Sequence, residues 1–352
     1  MERQFFKIFF LLVVVLMPPN FARAGVVFQT TFDDIANFST VGDCGTWSGG
    51  VSQCGSAPAG FSNYYTPSGG SIGPIPGGLA DHTGGTAKKA WMAYYPNAVY
   101  SGGSFLSKTL NTDYPELYAR FYMRVDPNWY QATTGQGDST AGSKVIRIDH
   151  FDRTGEAFQY FSGGYGAPIA DMNLSANNTY YPNRALYTPA YRGDPQASFY
   201  QSIPGTYTDA IFGMPARDRH TDFPMYMSAS GAYNAAGNWG DGAWHKYDFH
   251  VKMNTHSGNT WNADGVWQIW YDGVLVFNDT GIQWTAAGSD GYTGWNTIQM
   301  GGNANNPGGS FTSQWIAYDD LVVSTTAIPA DYVIGASSDT TPPAAPTGLI
   351  VR

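Results

Sequence analysis

The sequence predicts an all-β protein, a two-sheet antiparallel β-sandwich with long loops, and three observations predict it. Helix signals are nearly absent, whereas 43 Gly, 21 Pro, 24 Tyr and 11 Trp among 352 residues favour short strands separated by turns. The run 117–125 alternates strictly, with Leu117, Ala119, Phe121, Met123 and Val125 against Tyr118, Arg120, Tyr122 and Arg124, the period of a half-buried antiparallel strand. Residues 266–277 hold two aromatic and aliphatic runs around Asp272-Gly273, a pair that favours the type I′ turn of a hairpin.

The elements follow in chain order. Arg3 and Lys7, the apolar stretch from Ile8 to Met17 and the Ala22-Arg23-Ala24 site read as a secretory signal peptide over residues 1–24. The apolar stretch is far short of the ~20 residues a membrane span needs, and Pro18-Pro19 closes it. Export brings an oxidising compartment, so Cys44 and Cys54 are expected to form a short-range disulfide that stiffens a Gly-rich loop presenting Trp47. Residues 56–80 read as a long loop, and Ala90–Tyr95 and Gly103–Leu110 as strands leading into 117–125.

The next strand, 144–151, carries Lys144, Ile146, Ile148 and His150 on one side and Val145, Arg147, Asp149 and Phe151 on the other. Both sides are mixed, which suits a strand passing beneath a cleft. Residues 162–240 are polar, aromatic and weakly periodic, with Phe223–Ser228 alone strand-like, and read as functional loops that wall a groove. In 244–253, His245, Tyr247, Phe249, Val251 and Met253 oppose Trp244, Lys246, Asp248, His250 and Lys252. In the hairpin, Trp267, Ile269, Tyr271, Val274 and Val276 are expected to share a face. Thr297–Met300 and 313–324 are the closing strands. One domain over 25–335 is expected, followed by a disordered Pro-rich tail over 336–352.

A net charge of −9, more negative by two once Arg3, Lys7, Arg23 and Glu2 leave with the signal peptide, argues against nucleic acid, because no basic run offers the footprint that phosphates require. The Gly69–Gly73 match to a nucleophile elbow lacks a strand-to-helix setting. The six His show no zinc-protease spacing.

The order of these strands, with "DGVWQIWYDGVLVFNDT" and "WIAYDDLVVS" near the end, resembles the concanavalin A-like lectin/glucanase jelly rolls over roughly residues 26–328, and especially their bacterial polysaccharide lyase-like members. The resemblance implies a jelly roll with a concave glycan-binding face. The family 16 glycoside hydrolases of that fold carry Glu-x-Asp-x-x-Glu, while the mature chain has Glu116 and Glu156 in unrelated contexts, which argues against a retaining glycosidase. The alginate lyases carry Arg-x-Glu-x-Arg and Gln-Ile-His, loosely echoed by Arg120-x-Tyr122-x-Arg124 and Ile148-Asp149-His150.

Glycan lyases neutralise a uronate carboxylate, remove the adjacent proton and protonate the leaving oxygen. Arg120 and Arg124 are the candidates for the carboxylate, His150 or His250 for the base, and Tyr122 or Tyr118 for the acid. Lys144, Arg147, Asp248, His250 and Lys252 are candidates for substrate contact, and Trp47, Trp129 and Trp239 for sugar stacking. The competing reading of the charged residues is an ionic ladder on a sheet surface. Asp33, Asp34, Asp319 and Asp320 are brought together if the first and last strands pair, and are candidate ligands of a structural calcium ion; no cofactor is required for the chemistry. The expected function is a secreted, polysaccharide-active protein, a uronate lyase with an anionic glycan as partner; the alternative is a non-catalytic carbohydrate-binding or adhesion module.

Overall fold

The computed structural model describes residues 25–40, 55–66, 68–75, 81–84, 88–95, 103–126, 142–150, 168–176, 185–192, 207–208, 215–216, 242–258, 260–282, 284, 294–305 and 314–335. Residues 1–24, Cys44, Trp47, Cys54, Trp129, Phe223–Ser228, Trp239 and the tail 336–352 lie outside the described residues.

The strands are β1 (Val26–Thr30), β2 (Phe38–Thr40), β3 (Asn63–Tyr65), β4 (Gly70–Pro74), β5 (Lys89–Tyr95), β6 (Gly103–Tyr114), β7 (Glu116–Val125), β8 (Gly142–Asp149), β9 (Ile169–Ala176) and β10 (Ala185–Arg192). They continue with β11 (Tyr207–Thr208), β12 (Pro215–Ala216), β13 (Trp244–Lys252), β14 (His256–Ser257), β15 (Thr260–Trp261), β16 (Gly265–Tyr271), β17 (Val274–Ile282), β18 (Trp295–Asn305) and β19 (Gln314–Ser324). No helix occurs among the described residues. A nine-stranded sheet runs β17-β16-β13-β7-β19-β5-β4-β2, with β1 also on β19, and a six-stranded sheet runs β10-β9-β8-β18-β6-β3. All pairings are antiparallel. Chain neighbours β6 and β7 sit in different sheets, as a β-sandwich demands, and the first and last strands pair.

Alternation builds the core between the sheets. From the nine-stranded sheet come Leu117, Ala119, Phe121, Met123, Tyr247, Phe249, Val251, Trp267, Ile269 and Tyr318; from the other come Leu106, Ile146, Ile148, Met172, Ile298 and Met300. Phe121 is the centre: it stacks on Tyr247 at 5.2 Å and 5° and meets Phe249 edge-on at 5.5 Å, contacts that add to its burial. Tyr318 crosses the core to donate to the carbonyl of Val145 at 2.5 Å, which ties the sheets together.

Four elements differ from the sequence reading. The stretch 56–80 holds β3 and β4, short strands that the Gly/Pro/Ser content conceals. The stretch 162–240 holds β9 and β10, which widen the six-stranded sheet; one side of β9 alone meets the core, through Ala170 and Met172, so little apolar periodicity marks it. In the hairpin Asp272 and Gly273 have φ of 50° and 83°, as a type I′ turn requires, but a bulge between Ile269 and Trp270 pairs Ile269 with Phe277 instead of Val276. A second bulge between Lys144 and Ile146 breaks the expected alternation of 144–151.

Gly301 has φ of 81°, and a Cβ there would lie 2.1 Å from the Ser104 carbonyl oxygen. The left-handed backbone alone costs a side chain about 1–2 kcal/mol. Gly301→Ala is therefore expected to lower stability by at least about 2 kcal/mol in urea denaturation; an unchanged midpoint would contradict this packing.

Candidate functional site

The outer face of the nine-stranded sheet gathers most of the residues singled out from sequence. Register places Tyr118 beside His250, Arg120 beside Asp248, Tyr122 beside Lys246 and Arg124 beside Trp244. These groups are committed to one another. Arg120, 5% exposed, donates from Nε to Asp248 Oδ1 at 2.5 Å and from its terminal nitrogens to the carbonyls of Pro329 at 2.6 Å and Ile328 at 3.1 Å. The Tyr118 and His250 rings stack at 4.3 Å. Both also contact Glu116 Oε1, at 3.0 and 2.7 Å, while His250 Nδ1 lies 2.7 Å from Gln268 Oε1. Burial first, and then the bond to Glu116, push the Tyr118 phenol up to about 12, so it stays protonated at neutral pH. A crevice of about 230 Å³ between this network and residues 327–330 is lined by Tyr118, Arg120, Lys246, Asp248 and Trp270. Lys252 is exposed at the strand end.

The expected convergence of Arg120, Tyr122 and Arg124 with His150 is not found. His150 follows β8 in the other sheet, where its Nδ1 lies 2.9 Å from the Gly294 carbonyl and 3.9 Å from Asp113. Strand alternation decides this: Tyr122 and Arg124 face away from the core on one sheet, and Arg147 faces away from it on the other.

The carboxylates at the chain ends form a different set from the one expected. Asp319 and Asp320 hold His82, whose Nδ1 and Nε2 lie 2.9 and 3.3 Å from them and whose ring stacks on Tyr122 at 3.8 Å. Asp81, His82 and Asp319 each offer a ligand atom within 4.8 Å of the others. Lys88 Nζ lies 3.8 Å from Asp33 and 3.7 Å from Asp81, while Asp34 is exposed. Calcium takes about six to eight oxygen ligands. This cluster instead places an imidazole and an ammonium among its carboxylates, a poor fit to that ion. Asp320 has φ of 45° at a bulge between Asp319 and Val322, which lets both carboxylates reach one histidine.

The outer face of the six-stranded sheet carries a second polar row. Asn63 pairs with Ser107, Ser107 with Gln299 and Gln299 with Arg147. Thr109, Thr297 and Asp149 form the next row, and Tyr65 and Phe105 the row on the other side. Their strand neighbours Tyr64, Leu106, Ile146, Ile148, Ile298 and Met300 are all in the core, so these side chains face the other way. They are nonetheless recessed: Ser107, Thr297, Arg147, Gln299 and Asp149 are all buried. Tyr65 and Phe105 are half-buried, with ring centroids 5.9 Å apart. The bulge after Lys144 sets position 144 opposite Asn173, one step from core-facing Met172, so the backbone brings position 144 to the side of Arg147. These rows bring together a guanidinium, a carboxylate, an amide, hydroxyls and an aromatic pair.

The sequence reading missed Gln299, Thr297, Ser107, Asn63, Tyr65 and Phe105. Thr297-Ile-Gln-Met300 does alternate polar with apolar, the one signal available; Asn63 and Tyr65 sat in a segment read as loop. His82 and Glu116 were likewise found by contact alone.

No family model matches this chain, and neither does any curated protein. Solved structures of similar fold include the alginate lyase Aly36B, with 18% identity, coverage of 67% of this chain and 81% of that one, and a TM-score of 0.41. The endo-β-1,4-glucuronan lyase from the fungus Trichoderma reesei has 14% identity, coverage of 82% and 95%, and a TM-score of 0.43. The alginate lyase vAL-1 from Chlorella virus has 14% identity, coverage of 72% and 91%, and a TM-score of 0.43. Among the described residues, no helix is long and apolar enough to cross a membrane.

Two expectations arise from the nine-stranded face. Burial lowers the His82 pKa, but the bond to Asp319 and the charges of Asp319, Asp320 and Asp81 outweigh it and raise the net value. Burial raises Asp319, and burial with the Asp319 charge lifts Asp320 to about 6. All three groups hold protons more tightly in the fold than in the unfolded chain. Their contribution is complete below the unfolded values, 3.8 for the aspartates and 6.5 for histidine, and is lost as pH rises through the folded ones. The melting temperature is expected to fall as pH rises from about 4 through about 6 and on past the ordinary histidine value, and less steeply in His82→Gln; a flat profile would contradict the assignment. Arg120→Met leaves Asp248 and two carbonyls without their donor and is expected to cost about 2–4 kcal/mol in urea denaturation.

Proposed function

We propose that the protein is a secreted polysaccharide lyase that cleaves a uronate-containing glycan by β-elimination on the outer face of its six-stranded sheet. The observation that carries this reading is the recessed row Asn63–Ser107–Gln299–Arg147 beside the Tyr65–Phe105 pair. Polar residues are usual on the side of a sheet turned from the core; what marks this row is that Ser107, Gln299 and Arg147 are buried and that the Gln299 oxygen among them has no partner, which has a cost. A guanidinium fork matches a carboxylate, and aromatic rings match the apolar face of a pyranose.

In the reaction a base takes the proton alpha to the uronate carboxylate, the electrons form a carbon–carbon double bond, and the glycosidic oxygen departs with a proton given back by the protonated base or by water. Neutralising the carboxylate acidifies that proton, and Arg147 is the group assigned to it. Lys144 holds a strand position whose backbone lies on the same side. Arg120, by contrast, fixes the segment at Ile328 and Pro329 to the sheet. A non-catalytic glycan-binding module is the second reading, favoured by the half-buried Tyr65–Phe105 pair, which serves binding without chemistry.

Incubation with a panel of uronans, alginate and glucuronan among them, is expected to release an unsaturated product seen by its ultraviolet absorbance. Arg147→Met should lower kcat/KM by about 100-fold or more while the protein still melts cooperatively. Binding without new absorbance would favour the module; neither binding nor turnover would refute both readings.

A further inference from the structure

Gln299 holds one half of its amide in reserve. Its Nε2 donates to the carbonyl of Gly301 at 3.0 Å, while its Oε1 is buried without a hydrogen-bond partner. Reversing the amide would set two oxygens against each other, so the bond to Gly301 fixes which atom is left over. Leaving a buried acceptor unmet costs about 1–3 kcal/mol. The side chain is 2% exposed, points away from the core, and stands between Ser107 and Arg147 in register. The unmet atom is the oxygen, which cannot neutralise a carboxylate. It offers a lone pair, and what answers a lone pair is an O–H.

We propose that Gln299 is a specificity-determining residue that accepts a hydrogen bond from a free sugar hydroxyl beside the carboxylate gripped by Arg147, so that the site discriminates against uronans O-acetylated at that hydroxyl. The inference rests on the uronate reading of this face. Acetylation replaces the O–H donor by an ester that has none and adds bulk over the buried oxygen; the loss is then twofold, an unmet acceptor and a steric conflict. Sites built to bond a substrate hydroxyl reject analogues lacking it far more strongly than apolar pockets reject a size change. Ser107 and Thr297 flank Gln299, but their hydroxyls can turn to donate or accept. Gln299 has no such choice.

The test is binding of tetrasaccharides of mannuronate and of glucuronate, each free and O-acetylated, to the full-length protein and to Gln299→Met, which keeps the length of the side chain and removes the acceptor. The wild type is expected to bind the free form of one series about tenfold or more tightly than its acetylated form. In Gln299→Met that ratio should fall to within about threefold, mainly through weaker binding of the free form. Gln299→Leu likewise removes the acceptor without adding charge and should lose discrimination in the same way if Gln299→Met proves unstable on melting. If free and acetylated forms bind the wild type equally, or Gln299→Met discriminates as well as the wild type, this role is wrong and the uronate site stands. Failure of all four tetrasaccharides to bind the wild type would remove the site itself.

Discussion

A strand in a sandwich has two faces and only one of them can meet the other sheet. Every other feature of this protein depends on that constraint. Once Phe121, Tyr247, Phe249 and Tyr318 pack together between the sheets, the opposite face of each strand is assigned, residue by residue. Tyr118, Arg120, Tyr122 and Arg124 must then share a surface with Asp248 and His250. Arg147 and Gln299 must share another on the far side of the molecule. No rotamer change can bring the two sets together, because the core lies between them.

The two surfaces use polar groups differently. On the nine-stranded sheet donors and acceptors answer one another: Arg120 with Asp248 and two carbonyls, His250 with Glu116 and Gln268, Gln268 with Asn278 at 2.8 Å. Such a network stiffens the face and anchors the chain near Pro329. On the six-stranded sheet Gln299 retains an unanswered oxygen in a recessed row, and an unmet buried group is the kind of feature that a ligand or an ordered water completes. The His82 cluster lies between these extremes, with two carboxylates sharing one imidazole, so its balance moves with pH.

Bulges are the exceptions to the alternation, and each alters the chemistry of a surface. The one at Asp320 turns two successive carboxylates towards His82. The one between Lys144 and Ile146 moves position 144 from the core side to the side of Arg147. The one in the hairpin brings Asn278 level with Gln268 and makes their hydrogen bond possible. One inserted residue reverses the sense of everything that precedes it.

By itself the sequence determined the all-β class, the strands around 90–95, 103–110, 117–125, 244–253 and 313–324, the type I′ hairpin and the residues of the core, because alternation against a single apolar side is a local property written in each strand. Which strands pair, which sheet a strand joins and where a bulge falls are settled by contacts between residues far apart in the chain, such as Gln299 with Arg147 or His82 with Asp319. That is why Arg120 read as a ligand group and proves to be an anchor, and why Gln299, on a strand with no motif, was invisible until Ser107 and Arg147 stood on either side of it.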